Sequence, residues 1–191
     1  MKDVKISRER LFSYVLLGVR CLLAWTLLRY GYAKLRGDQF HVTPETMELP
    51  LKNIDLFRLS WYMAGHEPFN LFIGISQIIV AVLLLWTRTR LIGAFASIPI
   101  WINILMWDIT FMGLNTPFTI RIPVYLFLTF LVLWGQKEEV ISAIKTLLAK
   151  EPRASRFPVW SYLLLPLVAV VVELLTAAPL AIAHYIQLWV K

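Results

Sequence analysis

The sequence predicts an all-α protein, a polytopic bundle of membrane helices. Three observations carry this. Hydrophobic residues make up 59% of the 191 residues and charged residues 16%, against roughly 45–50% and about 25% in soluble domains. A chain of this size cannot bury so much apolar surface in a water-facing globule. Five apolar runs approach the length of about 20 residues that a spanning helix needs. Lys and Arg concentrate in the connections that would share one side of the membrane.

The first apolar run covers residues 11–32. Arg20 and Arg29 interrupt it and no small-x-small site follows, so it reads as a span and not as a cleaved signal. The second covers 69–86, the third 91–112, the fourth 117–134 and the fifth 159–183. The four earlier runs form a core bundle over 11–135, and the whole chain is one membrane domain. Lys2, Lys5, Arg8 and Arg10 precede the first span, and Arg88 and Arg90 follow the second. Lys137, Lys145, Lys150, Arg153 and Arg156 precede the fifth. These stretches fall on one side, which the positive-inside bias makes cytoplasmic. The loop on the other side holds Glu45, Glu48, Asp55 and Glu67 against Lys52 and Arg58. The reading is therefore a bacterial inner-membrane protein with its amino terminus inside and its carboxyl terminus outside. Trp86, Trp134 and Trp160 fall at the inner boundary, as an aromatic belt requires.

Two connections have structure of their own. Within 136–158, Val140, Ile141, Ile144, Leu147 and Leu148 fall on one helical stripe among charged residues. This is a helix on the inner membrane surface, or one packed against the bundle. Residues 40–68 form a long external connection with Pro44 and Pro50 and with apolar Leu51, Ile54, Leu56 and Phe57. Connections of that length are often caps or lids.

Several chemistries are excluded. The single cysteine, Cys21, cannot run a thiol–disulfide relay. His41, His66 and His184 stand apart, without metal-ligand spacing, so neither haem nor another metal is expected. There is no Gly-rich phosphate loop and no Gly-x-Ser-x-Gly elbow. The formal charge of +7 reports basic loops facing the cytoplasm, not a nucleic-acid surface.

Ionisable groups inside a membrane are costly, so each is a candidate for function. By depth, Arg20, Gln77, Asn103 and Glu173 form a mid-membrane polar network. Lys34, Asp108 and Arg121, with His66 and Glu67 nearby, form an outer polar pocket beneath residues 40–68. The competing reading of the first set is interhelical glue, at roughly 0.6 kcal/mol per hydrogen bond. Arg29 lies near the outer end, where it can snorkel.

One set of residues carries a resemblance. Arg20 is followed eleven positions later by Gly31, which opens a Gly-x-x-Lys-Leu ending in Lys34 and Leu35. Gly74 and Gln77 open an apolar run that leads into Thr87-Arg88 and then Leu91, Gly93 and Ala94. Asn103 and Asp108 follow on the third span. This order resembles the DoxX-like family of bacterial membrane proteins, over roughly residues 12–134. The resemblance implies a four-helix membrane core and a redox setting, with some members similar to small subunits of thiosulfate:quinone oxidoreductases. The chain departs from the pattern twice. Gln77 stands where the family usually has Glu, and the fifth span is additional. Glu173 on that span could supply the missing carboxylate to Arg20.

Three functions follow as expectations. The first is a membrane subunit, anchor or assembly factor of a redox-linked complex, with a quinone or lipid pocket. Tyr30, Trp101, Trp107 and Phe111 would wall that pocket, and Lys34 or Asn103 would donate to the ligand. The second is a small-solute transporter or channel, to which Pro99, Pro123 and Pro166 within spans are suited. The third is a scaffold that meets its partner through residues 40–68. Catalysis by the chain alone is not expected, because no residues form a nucleophile–base pair. A protein partner or a second copy of the chain is.

Overall fold

The computed structural model describes residues 7–149 and 157–189. Lys2, Lys5, Lys150, Arg153 and Arg156, counted above on the inner side, lie outside the described residues, as does the side chain of His184. All regular structure among the described residues is helical. Two compact units divide the chain near residue 145.

The first unit begins with α1, Arg8–Leu35, whose first turn is capped by Ser7 Oγ accepting from Arg10 N–H at 3.3 Å. Gly37, at φ +74°, turns the chain away from α1. A short helix α2, Pro44–Met47, and a single 3-10 turn lead to α3, Leu56–Ala64. The amino end of α3 is capped by Asp55, which accepts from Arg58 N–H at 2.8 Å. Next come α4, Phe69–Leu85, and α5, Arg90–Met112. Gly113, at φ +89°, then allows a tight passage into α6, Pro117–Trp134. Pro117 sits in the first turn of α6, where a missing N–H costs nothing, and Thr116 Oγ1 caps it from Thr119 N–H. The helix α7, Lys137–Leu147, follows directly.

The core of this unit lies where α1, α4, α5 and α6 meet. Leu23, Ala24, Leu27, Ala81, Leu84, Ala94, Trp101, Ile122 and Val132 are buried there. The α1–α4 pair is antiparallel and its helices approach closely at Gly31 and Gly74. A Cβ on Gly31 would come within 2.6 Å of Gly74 O. The ends of this pair are tied reciprocally. Asn70 Nδ2, in the first turn of α4, donates to Lys34 O near the end of α1 at 3.1 Å. Arg20 of α1 donates to the last carbonyls of α4. Trp101 belongs to this core, stacked on Tyr125 at 5.1 Å. The amphipathic α7 is present, joined to α5 by the Arg90–Glu139 ion pair and to the core by Val140.

The second unit contains α8, Val159–Leu163, and α9, Leu165–Trp189. Ser161 Oγ donates to Pro158 O at 2.7 Å at the start of α8, and Pro179 lies inside α9.

The number of spans differs from the five expected. Among the described residues, α1, α5 and α6 are long and apolar enough to cross a membrane. At 17 residues, α4 is only about 26 Å long, short of a hydrocarbon core of about 30 Å. It joins α3 through a bend of 81°, and the two would make a fourth crossing only if taken together. In α9 the described apolar stretch is shorter still, Leu165–Thr176, so the fifth crossing is not shown.

Candidate functional site

A cavity of about 730 Å³ lies between α1, α4 and α5, with α3 across one end. Tyr30, Lys34, Phe72, Gln77, Asn103, Trp107 and Asp108 are among its lining residues, and Trp61 and Ala64 bring α3 to its edge. The geometry has a local cause. Ser60 and Ala64 are the buried face of α3, and α3 rests against α5. Trp61 is held by Phe57 at 4.6 Å and Phe40 at 6.0 Å. Pro99, a lining residue, removes a backbone N–H from the middle of α5. Phe72 and Phe118 line the cavity and are exposed, so it opens on the flank of the bundle.

The polar groups are unevenly satisfied. Lys34 is 4% exposed. Its Nζ donates to Gln39 Oε1 at 2.9 Å and to Tyr30 O at 3.4 Å. The rings of Phe40 and Tyr30 lie 5.2 and 5.6 Å from the same ammonium, a placement favourable to a cation. Asp108 is 8% exposed. Among the described residues its carboxylate has no hydrogen bond and no ion pair. Lys34 and Asp108 thus line one cavity without pairing. Gln77 is 1% exposed and its Oε1 has no partner, nor has the indole N–H of Trp107. Buried polar atoms are nearly always bonded, and two of the five without a partner among the described residues, Gln77 Oε1 and Trp107 Nε1, line this cavity.

The residues singled out in the sequence are redistributed. Lys34 and Asp108 of the outer set do share the cavity beneath α3. Arg121 is exposed on α6 and lines no cavity described here. His66 belongs to a second cavity of about 350 Å³, with His41, Tyr62 and Asn70, and its Nδ1 pairs with Tyr62 O at 2.8 Å. Glu67 caps the start of α4, accepting from Leu71 N–H at 3.0 Å. Of the mid-membrane set, Gln77 and Asn103 line the main cavity with Lys34 and Asp108. Glu173 is exposed on α9 in the second unit. Tyr30 and Trp107 wall the cavity as expected. Trp101 and Phe111 do not: Trp101 is in the core, and Phe111 stacks on Trp107 at 4.8 Å.

Arg20 finds partners other than Gln77. Its Nε and Nη2 donate to Leu84 O at 3.1 and 2.9 Å, and Nη2 also to Leu85 O at 3.1 Å. The last four carbonyls of a helix have no partner within it. In α4 all four are satisfied: Val82 O by Trp86 N–H, Leu83 O by the Thr89 hydroxyl, and Leu84 and Leu85 O by Arg20. A cation also complements the negative end of the helix dipole. Arg20 therefore sits level with the end of α4, and its hydrogen bonds do not involve position 77.

Gln39, Phe40, Trp61 and Asn70 were not singled out in the sequence. Gln39 and Phe40 line both cavities. Phe40 stands at φ +68°, which bulky residues rarely adopt. The nearby Gly37-Asp38 turn is the signal that could have drawn attention to it.

Among known proteins, the chain is 32% identical over 143 residues to the uncharacterized protein YwoB of Bacillus subtilis (strain 168), a match that covers 72% of this chain and 84% of that protein. No family model and no solved structure matches it.

Proposed function

The chain belongs to the same family as YwoB, and from the cavity beneath α3 we propose that it is a membrane-embedded binding subunit for a lipid-soluble quinone, serving as subunit or anchor beside a redox partner. The cavity itself carries this reading. Its volume of about 730 Å³ falls within the range of roughly 300–1,000 Å³ typical of small-molecule sites. Its walls offer Tyr30, Phe72, Trp107 and Phe118 to a flat ring, and Lys34, Gln77, Asn103 and Asp108, with Arg29 and Asp38 also on the lining, to oxygens at its ends. Its opening on the flank of the bundle suits a ligand that arrives through the bilayer. Lys34, Asn103 and the Trp107 indole are donors for the ring oxygens. The order of motifs that resembles the DoxX-like family supports the redox setting, and the Lys and Arg distribution supports a bacterial inner membrane with the amino terminus inside.

The test is retention of the ligand. The protein, purified in lipid nanodiscs, should release close to one quinone per chain on solvent extraction, and Lys34→Met should retain less than a third of that. No retained quinone, together with no quenching of tryptophan fluorescence by an added short-chain quinone, would overturn the reading.

A further inference from the structure

We propose that the head group the cavity is built to hold is an aromatic hydroxyl, so that the site prefers a hydroquinone, or another lipid-soluble phenol, to the oxidised quinone. The inference rests on reading the cavity as a ring site and names the form of the ring. It starts from unequal demand. Of the three N–H bonds of Lys34, two are already directed at Tyr30 O and Gln39 Oε1. The carboxylate of Asp108 accepts nothing among the described residues, although the residue is buried. The residue as a whole is buried, but its carboxylate oxygens open on the cavity, where a ligand can donate to them. What the cavity lacks most is a donor at Asp108.

A quinone carbonyl cannot supply one. It only accepts, and it would turn its negative end toward a bare carboxylate. A ligand ammonium could donate, but it would share a small cavity with the Lys34 ammonium. A hydroxyl meets both neighbours at once: its O–H donates to Asp108, and its oxygen accepts the remaining N–H of Lys34. The two groups line the same cavity and do not pair with each other. Hydrogen bonds to an ionised acceptor are roughly twice as strong as neutral ones. The walls call for an aromatic carrier of the hydroxyl, with Tyr30, Phe72, Trp107 and Phe118 around the opening. Gln77 lines the same cavity from α4, and its buried Oε1 is unbonded. It can receive the second oxygen, at the far end of a hydroquinone ring.

The experiment compares forms of one probe. The nanodisc-embedded protein is titrated anaerobically with a decyl-substituted benzoquinone, with its hydroquinone and with 4-decylphenol, followed by tryptophan quenching. The hydroquinone should bind at least tenfold more tightly than the quinone, with the phenol also ahead of the quinone. A tenfold preference raises the midpoint potential of the bound couple by about 30 mV, which a redox titration reads independently. Asp108→Asn should bring the two affinities within threefold of each other, while Gly18→Ala, on α1 outside the cavity, should leave the preference in place. Equal or tighter binding of the quinone would overturn this inference and leave the quinone site standing. An unchanged preference in Asp108→Asn would overturn the role given to Asp108. If none of the three probes binds, the site reading falls with it.

Discussion

Arg20 shows how a buried charge can be held without a countercharge. It is 7% exposed and its guanidinium brackets two backbone carbonyls that α4 cannot satisfy by itself. Removing the side chain strands both carbonyls and leaves a space against Leu84. Hydrogen bonds to charged groups contribute about 1.5–3 kcal/mol, so Arg20→Met should destabilise the bundle by about 2–4 kcal/mol, read as a shift of the denaturation midpoint in detergent. Arg20→Lys should recover less than half of that, because it loses the Nε donor to Leu84 O and a shorter, flexible stem must bring its ammonium to where Nη2 now reaches both carbonyls. The sequence marked Arg20 as costly but pointed to Gln77 and Glu173 as partners. The reason is general: side-chain acceptors are visible in a sequence, and the free carbonyls of a helix end become visible only once the end is located. Lys34 and Asp108 were grouped in advance by depth, and the structure does place both on one cavity. Arg121 agreed in depth alone, and the rotation of α6 turns it outward.

At the scale of the element, the α1–α4 pair fixes the geometry of the cavity, since Lys34 and Gln77 reach it from these two helices. Their spacing depends on the absence of side chains at the crossing. A Cβ on Gly31 would meet Gly74 O at 2.6 Å and Ile78 Cγ1 at 2.8 Å, whereas a Cβ on Gly18 of the same helix meets nothing within 4 Å. Overpacking a close contact costs about 1–3 kcal/mol, while Gly→Ala in an open helical position gains up to about 1 kcal/mol. Thermal unfolding should therefore separate the two: Gly31→Ala melts earlier, and Gly18→Ala melts at the same temperature or later. Because Gly31 lies between Lys34 and the core, Gly31→Ala should also weaken ligand binding, and Gly18→Ala should not. The long helices were legible from their apolar runs, within a few residues for those over 91–112 and 117–134. The bend between α3 and α4 was not, because the apolar stretch of residues 56–64 is too short to read as part of a span and was counted with the connection 40–68. The lid over the cavity was foreseen as a long external segment but not as a helix with Trp61 on its inner face.

For the whole molecule, the distribution of charge bears on which ends of the helices face which side. In the first unit the start of α1, the α4–α5 turn and the end of α6 lie at one end. Arg20 reaches Leu84, Leu16 meets Gly135, and Arg90 pairs with Glu139 there. Arg8, Arg10, Arg88, Arg90, Lys137 and Lys145 gather at that end. The opposite end carries α2, α3 and the α5–α6 turn, where Glu45, Glu48, Asp55 and Glu67 offset the basic residues. The Lys and Arg bias of short loops sets orientation, so the basic end should face the cytoplasm and the cavity, with its lid, should open near the outer surface. Single cysteines in a Cys21→Ser background test this in intact cells with a membrane-impermeant thiol reagent. Asp38→Cys and Asn115→Cys should label from outside, and Ser7→Cys and Thr87→Cys only after the membrane is opened. The pair Asp38→Cys and Thr87→Cys also decides what α4 does. It is short for a crossing by itself, and it is joined to α3 by a sharp bend. If α3 and α4 together cross, the two positions label from opposite sides. Labelling of both from outside would mean that α4 enters and returns, and the positive-inside orientation would then fail for the α4–α5 turn. Labelling of Ser7→Cys from outside would reverse the whole bundle and place the cavity toward the cytoplasm.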